Sequence, residues 1–305
     1  MTSTCSIDDS SGRDRPGDNA PKTGPGGKAS DLERMHCLEV WGGNRSTDSG
    51  FEMPGLQVRV FCQPFRDAES GGDVYYLSSC ASGRVSRFLL ADVCGHGSQV
   101  AQTGTNLRKL MRQNINFIDQ GRLASGVNQQ FGQSTSEGKF ATALIGTFFS
   151  PTRTLTLCNA GHPQPLHYCA SSRQWSIHQP PPVDSTDMRN LPLGLSEEVR
   201  FGSFKSKLSK GDLLLCYTDA LSEAPTENGM LRTEGLLKLV ESLDVSPAET
   251  LIPSLIHAIE STVSGALNHD DLTVMLIECT DSGTRIRDNL AAPFRLLRSL
   301  FSRKN

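Results

Sequence analysis

Four aspartates stand where apolar strand-like runs end or begin, and carboxylates in that setting can build a metal centre. Asp73 follows Gly71-Gly72, Asp92 lies in FLLADVCGHG, Asp219 in LLLCYTDALSE, and Asp270 sits beside Asp271 in NHDDLTVMLIE. Asp92 and Asp219 close apolar runs, whereas Asp73 and Asp270 open them. The ends of packed strands can bring residues distant in sequence to one rigid edge that water reaches. Carboxylates gathered there repel one another, and hard divalent cations with oxygen ligands relieve the repulsion. None of the four positions is histidine or cysteine, which favours two Mg²⁺ or Mn²⁺ ions over zinc. Two such ions about 3.5–4 Å apart activate a water and clamp phosphoryl oxygens. Taken singly, an aspartate beside glycine at a strand end reads more simply as a turn residue. The combination carries the metal reading.

Positioning these residues requires strands backed by helices, and the apolar pattern supplies both. From Leu56, Val58, Val60 and Cys62 alternate along one face, followed by Tyr75 and Leu77, then by Phe88 and Leu90 running into Asp92. Residues 99–118 place Val100, Leu107, Leu110, Met111, Ile115 and Ile118 at helical spacing, and residues 123–131 predict a second helix. Further strands are predicted at 143–149, 155–159, 166–168, 201–205, 213–218 and 272–277. Helices are predicted at 234–242 and 247–263, and the Pro180-Pro181-Pro182 run breaks the pattern. Runs of strands alternating with runs of helices, without a regular βαβ beat, predict an α+β fold with antiparallel sheets. Residues 1–50 are rich in Ser, Gly, Pro and Asp and read as a disordered leader. Residues 51–280 form the expected domain, and residues 281–305 a basic amphipathic tail.

Composition narrows the function classes. A chain of 305 residues with 37% hydrophobic content can bury a core. Its net charge of -3 shows no basic footprint for nucleic acid, so none is expected as a partner. The nine cysteines are odd in number and contain no CxxC, which argues against a disulfide framework and a thiolate zinc site. Together with the absence of an apolar run long enough to cross a bilayer and of a signal peptide, this predicts a cytoplasmic protein.

Seven blocks now come into view: GGD (71–73), ADVCGHG (91–97), FATALIGTF (140–148), LCNAGHPQPL (157–166), LPLGL (191–195), KGDLLLCYTDALSE (210–223) and HDDLTVMLIE (269–278). In this order they resemble the metal-dependent type 2C protein phosphatases. The branch is the one typified by the sporulation phosphatase of stage II and the phosphatases that regulate stress sigma factors. The resemblance covers residues 57–278 and implies a four-layer αββα sandwich, two antiparallel sheets flanked by helices. It implies that Asp92 bridges two metal ions, that the Val93 carbonyl joins their shell, that Asp219 and Asp270 hold one ion, and that Asp73 serves the other mainly through waters. The implied reaction is direct hydrolysis of phosphoserine or phosphothreonine by a metal-activated water, without a phosphoenzyme. The implied substrate is a signalling phosphoprotein, such as an anti-anti-sigma factor.

Other residues in these blocks carry open alternatives. His96 either protonates the leaving serine oxygen or caps the helix after a tight Gly95-Gly97 turn. His162 is expected to stabilise a turn with Asn159, Asp271 to support its neighbours, and Thr273 to be structural. Three residues depart from the family pattern: Cys94 where serine is common, Ala91 where glycine often precedes the aspartate, and Ala220 where TDG is usual. Ala220 matters most, because a glycine there could serve a positive φ that alanine resists. The alternative function is therefore a catalytically weak or inactive phosphatase-fold module that binds a signalling partner. In the tail, Ile286, Leu290, Phe294, Leu297 and Phe301 recur at helical spacing among basic residues. Packing on its own domain is the preferred reading there, with contact to an anionic membrane as the alternative.

Overall fold

Alternating burial along Leu56–Gln63 turns Val58, Val60 and Cys62 inward and leaves the intervening residues partly exposed, so this strand covers one side of a core. The computed structural model describes residues 32–34, 40–79, 84–95, 98–117, 119–135, 138–180, 190–227 and 229–281. Its strands begin with β1 (Leu32–Arg34), β2 (Val40–Gly43), β3 (Thr47–Met53), β4 (Leu56–Gln63), β5 (Val74–Ser79) and β6 (Val85–Val93). Helices α1 (Ser98–Asn114) and α2 (Gln120–Ser134) follow. The strands resume with β7 (Ala141–Phe149), β8 (Thr154–Ala160), β9 (Leu166–Cys169), β10 (Gln174–Ile177), β11 (Phe204–Lys207) and β12 (Leu213–Tyr217). After a short α3 (Asp219–Ser222) and the hairpin β13 (Pro225–Thr226) and β14 (Gly229–Met230), the helices α4 (Arg232–Glu241) and α5 (Leu251–Thr262) lead to β15 (Leu272–Cys279).

The strands form two large sheets. One runs β1-β3-β4-β15-β12-β9-β10 and the other β11-β8-β7-β6-β5-β2. Every pairing in them is antiparallel except β1 with β3, which is parallel. Three apolar layers hold four structural layers together. Leu107, Met111, Leu123, Val127 and Phe131 of α1 and α2 pack on Tyr76, Leu89, Ala91 and Ile145. Phe51, Val58, Leu77, Phe88, Leu144, Phe148, Leu214 and Met275 fill the space between the sheets. Leu236, Val240, Leu255 and Ile259 of α4 and α5 cover Leu215, Tyr217 and Val274. This is the α+β fold with antiparallel sheets that the apolar pattern predicts, in the αββα layering that the family resemblance implies.

The folded part starts earlier than residue 51. β1, β2 and the first four residues of β3 lie inside the stretch expected to be a leader, and Asn44 between β2 and β3 is buried. These short strands are held by backbone ladders, β2 to β5 and β3 to β4, with few apolar side chains, so periodicity does not show them. The strand expected at 201–205 lies at Phe204–Lys207, and the helix expected from 247 opens with a 3₁₀ turn at Ala248–Thr250 before α5. The remainder of the expected leader, residues 1–31 and 35–39, and the tail beyond residue 281 lie outside the described residues. Among the described residues no helix is long and apolar enough to cross a membrane, and the six described cysteines are free thiols.

Candidate metal centre

The two sheets meet face to face at one rim, and the four aspartates sit on that rim. Asp73 immediately precedes β5 and Asp92 is the penultimate residue of β6, neighbours in one sheet that pair Val74 with Ala91. Asp219 follows β12 by one residue and Asp270 precedes β15 by one, neighbours in the other sheet that pair Tyr217 with Val274. A direct bond joins the sheets: the Thr218 hydroxyl donates to Asp73 Oδ2 at 2.8 Å and accepts the Thr273 N–H at 2.9 Å. Asp73, Thr218 and Thr273 are all buried, so this bond is shielded from water. The Thr273 hydroxyl donates to Cys62 Sγ at 3.3 Å, in keeping with the structural part expected of it.

Asp73 is held in place by a loop with no room for side chains. A Cβ on Gly71 would land on the Asp271 carboxylate, and one on Gly72 would lie 2.7 Å from Val100 Cγ1 and 2.9 Å from the Val93 carbonyl oxygen. That carboxylate accepts the backbone N–H groups of Phe65 at 2.6 Å and Gly72 at 2.5 Å. Asp271 is thus the buried anchor of the loop. Asp270 points the other way, is exposed, and its Oδ1 accepts the Asp271 N–H at 2.8 Å. On the opposite side, Asn44 Nδ2 donates to the carbonyls of Gly71 and Ala101, each at 2.9 Å, and its own carbonyl accepts from Gly71 N. Asn44 ties the loop to α1. Sequence reasoning missed it, since an asparagine after a Gly-Gly pair gives no sign of a partner 57 residues away.

The electrostatics are those of carboxyls that are first buried and then crowded by like charges. Burial, and then the Asp92 charge, raise the Asp73 carboxyl well above the usual range, opposed by the hydroxyls of Thr218 and Thr273. Asp92 is half-buried and pushed up to about 7, first by burial and then by the charges of Asp219, Asp270, Asp271 and Glu223. Asp219 is raised by burial, then by Glu223 and Asp270, while the backbone N–H of Ala220 works the other way. Glu223 was not singled out from the sequence. Its place four residues after Asp219 is the signal that could have found it, and in the fold Glu223 N donates to the Asp219 carbonyl at 2.7 Å.

Among the described residues no lysine or arginine pairs with Asp73, Asp92, Asp219 or Asp270. Also among the described residues, no three His, Cys, Asp or Glu side chains are drawn tightly enough together to hold an ion as they stand. A rim of unpaired, mutually destabilised carboxylate oxygens fits hard divalent cations in its chemistry. The Val93 carbonyl lies beside the Gly72 loop, next to Asp92 in chain order. His96 lies outside the described residues.

Two further expectations can be placed. Asn159 and His162 exchange side-chain to backbone bonds, with His162 N donating to Asn159 Oδ1 and Asn159 Nδ2 to the His162 carbonyl, each at 2.8 Å. The His162 ring contacts the Thr142 hydroxyl at 2.9 Å, opposite Asp92 in the β6–β7 ladder, and burial lowers its pKa to about 3. It is a neutral, structural imidazole. Ala220 lies buried in α3 and is absent from the positive-φ residues, so it carries no backbone strain.

Comparison with known proteins places this geometry among relatives. Residues 82–280 match the family described as Stage II sporulation protein E (SpoIIE). The chain is similar to the phosphoserine phosphatase RsbU of Bacillus subtilis (strain 168), 23% identical over 189 residues, which cover 62% of this chain and 54% of that protein. It therefore spans about half the length of this curated relative. Among solved structures, the RsbU and RsbW domains of Rv1364c from Mycobacterium tuberculosis superpose with a TM-score of 0.63 at 24% identity, covering 76% of this chain and 62% of that one. The PP2C phosphatase domain and regulatory fragment of SpoIIE from Bacillus subtilis gives 0.61 at 17%, covering 80% and 64%. Both likenesses concern the fold.

Proposed function

The chain belongs to the Stage II sporulation protein E (SpoIIE) family, and on that premise we propose that it is a metal-dependent phosphatase of phosphoserine and phosphothreonine side chains on a signalling protein. The observation that carries this reading is the rim on which burial and then neighbouring carboxylates hold the Asp73, Asp92 and Asp219 carboxyls above their usual range, with no lysine or arginine among the described residues pairing with them. Asp73, Asp92, Asp219, Asp270 and the Val93 carbonyl are the groups proposed to hold two Mn²⁺ or Mg²⁺ ions. Ions held there supply an activated water and neutralise charge on the phosphoryl oxygens.

The chain's own residues do the rest. Asp271 and Asn44 hold the Gly71-Gly72 loop, and that loop together with Thr218 fixes Asp73. Asp92, the penultimate residue of β6, and Asp219, just past β12 of the other sheet, are proposed to flank the phosphoryl group. His96 is proposed to give a proton to the leaving serine or threonine oxygen. An anti-anti-sigma factor as substrate and a cytoplasmic setting belong to the same proposal. The order of the seven sequence blocks, with the branch they resemble, supports the first, and the free thiols of the described cysteines support the second.

Release of phosphate from a phosphoserine peptide tests the reading. Activity should require Mn²⁺ or Mg²⁺, vanish in chelator, and be lost in Asp92→Ala and in Asp219→Ala. Full activity in both variants refutes the assigned site. The rival module without catalysis rests on Ala220, and the unstrained helical backbone at that residue takes away its main support.

A further inference from the structure

Beside the carboxylate rim the chain builds a second concavity. A cavity of about 300 Å³ opens between α3 and α4, lined by Ser222, Glu223, Met230, Arg232, Thr233 and Glu234. Its inner wall belongs to the rim itself, because Ser222 Oγ and Glu223 N both bond the Asp219 carbonyl. Its outer wall is the β13–β14 hairpin and the start of α4, tied back by Leu231 N donating to the Ala224 carbonyl at 2.9 Å.

Two features of that outer wall are uneconomic for the fold alone. Met230 is a large apolar side chain left 55% exposed. Arg232 is exposed, sits at φ +59, and makes no ion pair with any described residue, although Glu223 and Glu234 line the same cavity. A left-handed backbone costs a non-glycine residue about 1 kcal/mol or more, and such outliers concentrate where they serve function. The space is the size of one or two amino-acid side chains and adjoins the rim through Ser222 and Glu223, which both bond the Asp219 carbonyl.

The geometry points to Arg232 as a specificity-determining residue that pairs with an acidic side chain flanking the phosphorylated residue, while Met230 packs against that segment. Methionine adapts to varied surfaces, and arginine's planar fork holds a carboxylate in two parallel bonds. This inference rests on the phosphatase reading. It assigns to Arg232 the choice among phosphoproteins and no part in the chemistry.

The backbone strain supplies a variant that keeps its fold. Glycine accepts φ +59 freely, so Arg232→Gly removes the guanidinium and relieves strain together. Rates would be measured with Mn²⁺ on matched phosphoserine peptides flanked by Asp or by Lys, and on p-nitrophenyl phosphate. We expect the wild type to favour the Asp-flanked peptide through KM. Arg232→Gly should lose about a two- to five-fold share of that preference, as for an exposed ion pair, Arg232→Lys should keep most of it, and p-nitrophenyl phosphate turnover should be unchanged in both. An Asp/Lys ratio equal in wild type and Arg232→Gly overturns the inference. So does an equal fall on p-nitrophenyl phosphate, which would put the guanidinium at the reacting phosphate. Absence of turnover on every substrate by the wild type fails the phosphatase reading instead, and the inference with it.

Discussion

Neutralising Asp92 should stabilise the metal-free protein while abolishing the activity, and the size of the effect follows from the crowding at the rim. Burial and four neighbouring carboxylates move its ionisation from 3.8 to about 7. At about 1.4 kcal/mol per pH unit this is about 4 kcal/mol against the ionised form, and solvent at the half-buried group trims it to roughly 2–4 kcal/mol. A carboxyl with a raised folded-state pKa contributes stability that is present below about pH 4 and lost as pH climbs through about 7. Asp73 and Asp219 are raised too and act with the same sign. In chelator at pH 8, Asp92→Asn should therefore melt roughly 4–8 °C above the wild type, taking about 2 kcal/mol and a few degrees for each. At pH 5 the gap should shrink to less than half, because the folded wild type then keeps its proton. Adding Mn²⁺ should raise the wild-type melting temperature and leave the variant nearly still. Calorimetric or fluorescence melts across pH 5–8.5, with and without Mn²⁺, give the answer. A variant that melts at or below the wild type in chelator at pH 8, or a gap that ignores pH, refutes the picture of a crowded carboxylate rim.

Three other outcomes follow from the same geometry. Asp271→Ala strips the acceptor from the Phe65 and Gly72 N–H groups; it should lower stability in urea by about 3 kcal/mol and weaken the Mn²⁺-induced rise in melting temperature. Gly72→Ala pushes a methyl onto Val100 and the Val93 carbonyl; a cost of about 1–3 kcal/mol in urea unfolding and a marked fall in phosphatase rate are expected. Ala220→Gly brings back the residue usual in TDG, yet the position is helical and unstrained. It should cost about 0.5–1 kcal/mol with no gain in kcat, and a large gain would show that alanine restrains the active conformation.

How much of this was readable in advance differs from feature to feature. The alternation of Val58, Val60 and Cys62 and the helical spacing of Leu107, Leu110 and Met111 are local patterns, and they foretold the order of strands and helices. For the edge strands β1 and β2 the sequence offered no more than a short docking element over residues 32–41, since a short strand held by its backbone ladder leaves little apolar signature. Asp271 illustrates the same limit at the site. Motif resemblance separates Asp270 from Asp271 and gives the second a supporting part, but only packing shows what it supports, the Phe65 and Gly72 amides, while Asp270 stays exposed.

The sequence by itself determined the side-chain types of the proposed metal site: four carboxylates beside strand ends, two glycines that admit a close approach, and apolar runs to carry them, because side-chain type and periodicity are local properties. Tertiary structure decided which of those groups meet. The bond from Thr218 to Asp73 spans 145 residues, and that from Gly72 to Asp271 spans 199. The mutual repulsion that marks Asp92 exists only once two sheets are pressed together, for charge interacts across space and the order of residues along a chain does not state distance.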